Sequence, residues 1–241
     1  MGTGCDTILS QIAAECLETP MNNIVVFSVD TDISPYDSGS YASATTYTTG
    51  MAVVKACQDL RAKICEVGAE MLEADKAEVD FDGSFVYCTE EERRVSLEAI
   101  ALKGTCFNNT ELQVVRQHSS PLSPPPFMVG MAEVEVDTET GSVELLDYVA
   151  VVDCGTPINP NLARVQTEGG LVQGIGMALS EDVQYTEKGK VRNNSFMQYK
   201  IPTREDIGDI RVDFECSYEK TGPFGAKSIG ELVIDTPCPA I

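Results

Sequence analysis

The chain has 241 residues, of which 17 are Lys or Arg and 38 Asp or Glu, for a formal charge of −21 with a single histidine. That balance excludes nucleic acid as a partner, because phosphate backbones bind clustered cations, and one imidazole excludes multi-histidine metal sites and leaves little scope for a Ser-His-Asp hydrolase. A 43% hydrophobic content suffices for the core of one large or two small domains. No apolar run approaches the roughly 18 residues of a membrane span, and the start lacks a basic-then-apolar leader, so the expected setting is the cytoplasm, with no membrane partner.

The chain opens Met1-Gly-Thr-Gly4, and Ile8, Leu9, Ile12, Cys16 and Leu17 recur at the spacing of an amphipathic helix that stops before Pro20. Gly2 and Gly4 around Thr3 leave N–H groups and a hydroxyl free at that helix start, which suits an anion or a polar cofactor edge, although any helix start has such groups. Residues 24–29, Ile-Val-Val-Phe-Ser-Val, read as a buried strand. The hydroxyl-rich run Ser38-Gly-Ser-Tyr-Ala-Ser-Ala-Thr-Thr-Tyr-Thr-Thr-Gly50 opens a helix reaching to about Leu72, with Val53, Val54, Cys57, Leu60, Ile64 and Cys65 on its apolar face. Such a run either cradles phosphate or pterin-like groups or caps a helix whose small side chains allow close packing.

Residues 77–88 predict a hairpin turning at Asp82-Gly83. Thr89 and Glu92 form a capping box for a helix through Leu102, and a strand is expected near 112–115. His118 is read as structural, at a strand end entering the proline- and serine-rich stretch 119–126, a linker or surface loop. Residues 131–137 alternate apolar and acidic, turn at Thr138-Glu-Thr-Gly141 and return through 143–152, a half-buried hairpin with an acidic outer face. The loop Asp153-Cys-Gly-Thr-Pro-Ile-Asn-Pro160 feeds a helix over 162–179 that contains Gly169, Gly170, Gly174 and Gly176. Each glycine there costs up to about 1 kcal/mol relative to alanine. Either a close backbone or flat ligand, or tight helix–sheet packing, accounts for them. Glu187-Lys-Gly-Lys190 reads as a hairpin turn and 211–218 as another alternating strand.

The nine cysteines include no Cys-x-x-Cys pair, which argues against a disulfide framework and against a zinc or iron–sulfur site, and most are expected to be small buried hydrophobes. The sequons at Asn108 and Asn193 are read as loop residues. In Thr221-Gly-Pro-Phe-Gly-Ala-Lys-Ser-Ile-Gly-Glu231, glycines frame a carboxylate that precedes the apolar Leu232, Val233 and Ile234. Glu231 is then either held at a crowded place or an ordinary first-turn glutamate.

Taken together these segments resemble the molybdenum-binding subunit of the xanthine dehydrogenase and aldehyde oxidase family, in its carboxy-terminal half. The motifs that carry the resemblance are Met-Gly-Thr-Gly4, Tyr41-Ala-Ser-Ala-Thr45 with Gly50, the Glu133 to Gly141 hairpin, Asp153-Cys-Gly with Asn159-Pro160, Gln166-Thr-Glu-Gly-Gly-Leu-Val-Gln-Gly174, and Lys227-Ser-Ile-Gly-Glu231. Within that family the chain looks most like the medium molybdopterin subunit of nicotinate dehydrogenase.

The resemblance implies hydroxylation of an N-heteroaromatic, nicotinate-like carbon with water as the oxygen source, a hydride passing to the molybdenum centre and Glu231 taking the proton. Aldehyde or purine oxidation, and a non-catalytic scaffold that only holds cofactor, are the alternatives. A carboxylate shielded from water is the stronger base. By the same resemblance Gln166 contacts the pterin, Ala42, Ser43, Ala44 and Thr45 line the metal and cofactor, Gly230 precedes the base, Gly2, Thr3 and Gly4 touch cofactor, and Tyr41 faces substrate. Thr3 replaces the family's usual glutamine, and a hydroxyl cannot reproduce an amide's reach. The molybdenum is held through the pterin's sulfur atoms, with no direct protein ligand, and the pterin is expected in its cytosine dinucleotide form. Iron–sulfur clusters and FAD are expected on partner subunits, since this chain has neither cluster spacing nor a dinucleotide fingerprint, and a larger molybdopterin subunit is expected to supply the other wall of the pocket. Because Met1 falls on a binding motif and the chain stops at Ile241, a somewhat longer subunit is expected. The expected architecture is α+β, with helices packed on mostly antiparallel mixed sheets in two subdomains, 1–120 and 121–241.

Overall fold

The structure, a computed structural model, describes residues 2–28, 30–106, 111–120 and 122–241. It comprises two compact units, one of Met1–Gly39 with Thr45–Leu122 and one of Ser40–Ala44 with Ser123–Ile241.

In the first unit, helix α1 (Cys5–Leu17) follows Gly4, whose left-handed φ of 77° side chains resist, and ends at Glu18, whose N–H reaches the carbonyls of Ala14 and Glu15. A π turn (Thr45–Thr49) leads into α2 (Gly50–Leu72). The hydroxyls there bond within the unit: Thr49 Oγ1 donates to Asp37 at 3.2 Å, and the buried Tyr47 shares a hydrogen bond with Ser120 at 3.0 Å. The apolar face of α2 covers the antiparallel sheet β1 (Val79–Phe81), β2 (Phe85–Cys88) and β3 (Arg94–Ser96), with α3 (Leu97–Cys106) beside it. Ile64, Val67, Phe81, Val86 and Ile100 form that core. At Gly68 the helix comes so close that a Cβ would lie 2.6 Å from Val86 Cγ1. Arg61 ties the end of α1 to β1 through Glu18 at 2.7 Å and Asp80 at 2.8 Å.

The Asp82-Gly83 hairpin forms as expected, with Gly83 at φ 86°. Three other expectations fail. Residues 24–28 pair with no strand among the described residues, and Val25 and Phe27 are exposed at 89% and 65%. Residues 112–115 likewise form no strand; Leu112 packs, half-buried, against the first-unit core, and Lys63 Nζ donates to the Gln113 carbonyl at 2.9 Å. The capping box at Thr89 and Glu92 is not used, because Thr89 bonds back to the Glu78 carbonyl and extends the hairpin, and 94–96 add β3. Ser96 performs the cap instead, its Oγ accepting from the Ala99 N–H at 3.3 Å. Met1, Val29, the sequon at Asn108 and Pro121 of the proline-rich stretch lie outside the described residues.

In the second unit, β4 (Phe127–Val136) and β5 (Val143–Asp153) make the expected long hairpin, shifted in register by a bulge at Glu133 and Val134. Its turn closes through Gly141 at φ 77°, whose N–H bonds the Asp137 carbonyl at 2.7 Å. Helix α4 (Pro160–Leu179) then crosses over to β6 (Asp209–Phe214), which pairs parallel to β5 at the far edge. A parallel neighbour requires such a crossover, so this sheet is mixed, and the strand expected over 211–218 ends early because its last residues bend toward Asp153. Leu145, Tyr148, Ala150, Leu171, Ile175 and Val212 fill the core between α4 and the sheet. The turn at 187–190 forms around Gly189, with Tyr185 bridging Val191. Asn193 of the second sequon is a loop brace, bonded to Gln184 and Asp182.

The glycines of α4 divide cleanly. A Cβ at Gly170 would meet Val233 Cγ2 at 2.2 Å, one at Gly174 the Ile234 carbonyl at 2.5 Å, and one at Gly176 a Glu181 oxygen at 2.2 Å, whereas at Gly169 none of the described residues comes within 4 Å. Tight packing therefore accounts for three of the positions, but onto the short helices α5 (Leu232–Asp235) and α6 (Pro237–Ala240) and a loop rather than onto the sheet. The α+β class holds, each unit carrying one three-stranded sheet under helices. The cysteine expectation does not: Cys57, Cys65, Cys88 and Cys154 are buried, and Cys106, Cys216 and Cys238 are exposed. Among the described residues no helix is long and apolar enough to cross a membrane.

Candidate functional site

The segment from Thr221 to Glu231 is fastened to the loop after β5. Gly155, at φ 70°, lies where a Cβ would be 2.2 Å from the Gly225 carbonyl, and this close approach lets Thr156 N–H reach that carbonyl at 2.8 Å and Lys227 N–H reach the Cys154 carbonyl at 2.7 Å. The turn that delivers it, Pro223–Gly225, holds Phe224 in the left-handed region at φ 51°.

Lys227 then turns inward. Its Nζ donates to Asp153 Oδ2 at 2.8 Å and to the Pro125 carbonyl at 3.2 Å, and lies 5.3 Å from the centre of the Phe127 ring. Asp153 also accepts from Ser217 Oγ at 2.6 Å and from the Gly155 N–H at 2.9 Å. The side chains are 6% and 17% exposed, so this is a buried ion pair whose groups are nearly all hydrogen-bonded. Burial pushes the Asp153 carboxyl up, but the donors from Lys227, Ser217 and Gly155 outweigh it and hold it below the usual carboxylate range. Burial first, with the nearby Asp153 carboxylate, pushes the neighbouring Cys154 thiol up to about 11.

Beyond Lys227 the chain reaches Gly230. An added Cβ there would stand 2.8 Å from Ser43 Oγ and 3.6 Å from Gln166 Nε2. Ser43 belongs to the turn Tyr41–Ser43, closed by Ala44 N–H to the Tyr41 carbonyl at 3.1 Å, in which Ala42 and Ser43 both take left-handed backbones at φ 50° and 52°. Two adjacent non-glycine residues in that region cost roughly 1–2 kcal/mol each. Gln166 projects from α4 beside the buried Thr167, whose hydroxyl back-bonds to the Ala163 carbonyl at 2.9 Å.

Thus Ser43, Gln166 and Gly230 converge, with Ala42, Ala44 and Glu231 their covalent neighbours. Gly2, Thr3, Gly4 and Thr45 belong to the other unit. Tyr41 is 76% exposed. Glu231 sits at the start of α5, makes no capping bond with its side chain, and is exposed on this chain. The crowding read from the glycines is real but falls on Gly230; the carboxylate itself is not walled off by these residues. A separate cavity of about 380 Å³, lined by Val165, Glu168, Gly169, Val172, Arg204 and residues 207–210, includes none of the converging residues.

The roles of Lys227 and Asp153 were not read from the sequence. The available signal was a lysine and an aspartate each enclosed by glycine and small or apolar residues, where a charged side chain needs a partner. His118 takes part in a first-unit contact, 2.8 Å from Lys55 Nζ; burial first, then that ammonium, lowers its pKa.

Comparison with known proteins bears on the family and the fold. A description of the molybdopterin cofactor-binding domain matches residues 1–208. A probable hypoxanthine oxidase of Escherichia coli (strain K12) is 38% identical over all of this chain and 25% of its own length. A reconstituted CO dehydrogenase from Oligotropha carboxidovorans superimposes with a TM-score of 0.89 at 28% identity, over 99% of this chain and 30% of that one. Quinoline 2-oxidoreductase from Pseudomonas putida 86 does so at 0.85 and 27% identity, over 99% and 31%. The chain spans about a quarter to a third of the length of these relatives. With a match covering most of its residues and the fold reproduced throughout, the chain belongs to the molybdopterin cofactor-binding domain family.

Proposed function

We propose that this chain forms part of the molybdopterin-binding portion of a molybdenum hydroxylase acting on an N-heteroaromatic carbon, with Glu231 as the base. The observation that carries the reading is the contact of Gly230 with Ser43 and Gln166, which sets Glu231 next to a strained hydroxyl-bearing turn and a side-chain amide.

That donor set fits a pterin. The Gln166 amide and Ser43 hydroxyl offer neutral donors and acceptors to a polar heterocycle, and a side chain at Gly230 would fill the space between them. Bound there, the molybdenum cofactor would supply the oxidant for the hydride, hydrogen with its electron pair, that leaves the substrate carbon as its C–H bond breaks. Glu231 receives, on a carboxylate oxygen, the proton released as water oxygen joins that carbon. Tyr41, the exposed first residue of that turn, stacks on a planar substrate. Gly2, Thr3, Gly4 and Thr45 are assigned to cofactor contacts.

The exposure of Glu231 on this chain makes water exclusion the task of the rest of the enzyme, for which we propose a larger molybdopterin subunit with iron–sulfur and FAD subunits as electron exit, the pterin carrying a cytosine nucleotide. The names of the hypoxanthine- and quinoline-directed relatives support an N-heteroaromatic substrate, and nicotinate is the first to try. The same exposure favours a second reading, a scaffold that holds cofactor without supplying the base. Glu231→Gln in the assembled enzyme separates them: on a panel of nicotinate, hypoxanthine, quinoline, CO and an aromatic aldehyde, catalysis by Glu231 predicts a loss of about a hundredfold or more with molybdenum content unchanged. Undiminished turnover leaves only the scaffold.

A further inference from the structure

We infer that Lys227 and Asp153 are positioning residues for Glu231, an inference that rests on the reading of Glu231 as the base. Lys227 Nζ gathers chain from three places: the Pro125 carbonyl before β4, Asp153 at the end of β5, and, through Asp153, Ser217 beyond β6. From this buried point only Ser228 and Ile229 separate Lys227 from Gly230. The segment is pinned at its other end by Val233, fully buried against Gly170. Between the pins Glu231 makes no side-chain capping bond, so its placement depends on the two anchors rather than on contacts of its own carboxylate.

Stability alone gives little reason for a buried ion pair, since replacing both partners by apolar groups is often neutral or better. What the pair adds is direction. An ammonium with fixed acceptors holds one rotamer and one backbone path, whereas an apolar side chain fills the space without specifying either. Asp153, held charged at neutral pH by its donors, keeps that constraint in force.

The test is amide hydrogen exchange on the assembled enzyme carrying Lys227→Met, Lys227→Arg or the double substitution Asp153→Asn with Lys227→Met, measured beside Glu231→Gln. Positioning predicts that residues 228–231 exchange at least about tenfold faster in Lys227→Met while α4 and the β4–β5 hairpin keep their protection. Lys227→Arg, which keeps the cation, retains most of the protection. The double variant removes both charges, so if the single variant fails to fold it remains measurable, and it shows the same local loosening. With nicotinate or hypoxanthine as the probe, kcat falls at unchanged KM and molybdenum content. Unchanged exchange at 228–231, or loosening spread evenly over the unit as a purely structural pair would give, overturns the inference. If Glu231→Gln keeps its turnover, the assignment of the base fails instead, and the exchange result still stands as a statement about the loop.

Discussion

Gly169 and Gly170 are adjacent on α4, yet adding the same methyl group to each has opposite expected effects. In a helix interior alanine is favoured over glycine by about 1 kcal/mol. At Gly169, where none of the described residues lies within 4 Å of the new Cβ, that preference acts unopposed. At Gly170 the Cβ would lie 2.2 Å from Val233 Cγ2 and 3.2 Å from Val233 Cβ. Carbon atoms settle near 3.5–4.0 Å, so one side must retreat by roughly 1.5 Å. Val233 is fully buried, and a β-branched side chain in a helix has one strongly preferred rotamer, so it cannot swing aside. Overpacking of this kind costs about 1–3 kcal/mol, leaving Gly170→Ala neutral to about 2 kcal/mol destabilised after the helix preference is credited. Since 1 kcal/mol moves the midpoint of a chain this size by about 2–4 °C, thermal denaturation is expected to place Gly169→Ala above the parent and Gly170→Ala about 2–12 °C below Gly169→Ala. Adding Val233→Ala to Gly170→Ala relieves the contact, so the pair is less damaging than the sum of the singles. If Gly170→Ala stabilises as much as Gly169→Ala, the close approach of α4 and α5 is wrong, and with it the anchor beyond Glu231.

Asn159 caps α4 by accepting the Leu162 N–H at 3.1 Å, so Asn159→Ala is expected to lower stability by about 1 kcal/mol and Asn159→Ser by less, read from denaturant midpoints. Because the Asp153 carboxyl titrates lower folded than unfolded, its contribution is complete above the unfolded pKa of about 3.9 and is lost as pH falls through the folded value. Denaturation followed from neutral to acid pH is therefore expected to show a shallower acid limb in Asp153→Asn than in the parent; identical limbs would remove Asp153 from the balance. With its thiol raised to about 11 and its side chain buried, Cys154 is expected to escape iodoacetamide at pH 8 while Cys106, Cys216 and Cys238 are alkylated, as peptide mass spectrometry will register.

Local periodicity sufficed for the elements that stabilise themselves from within. The 3.6-residue spacing from Val53 to Cys65 locates α2, the alternation of 131–137 with its turn at 138–141 locates the β4–β5 hairpin, and the helix read over 162–179 locates α4 with its start two residues late. The order of the motifs along the chain was enough to name the family, even though Gly170 and Gly174 within one of them serve the packing of α4 against α5 and α6. The glycines around Glu231 left it open between two readings until the resemblance gave it a role, and neither Lys227 nor Asp153 was identified as one of a pair although both sat within quoted motifs.

What escaped the sequence were relations between distant residues. Residues 24–28 carry strand-forming side chains, but a strand exists only where a neighbour offers its backbone groups, and none of the described residues does. Whether 209–214 would join β5 parallel or antiparallel depended on the crossover through α4. Whether the α4 glycines faced a ligand or a helix was decided by where α5 came to rest. A side chain's type and its near neighbours along the chain fix what it is able to do; burial and partnership depend on which remote segment arrives beside it. Asp153 and Lys227, 74 residues apart, became an ion pair only because the β5 end and the Gly225 turn were folded onto one another.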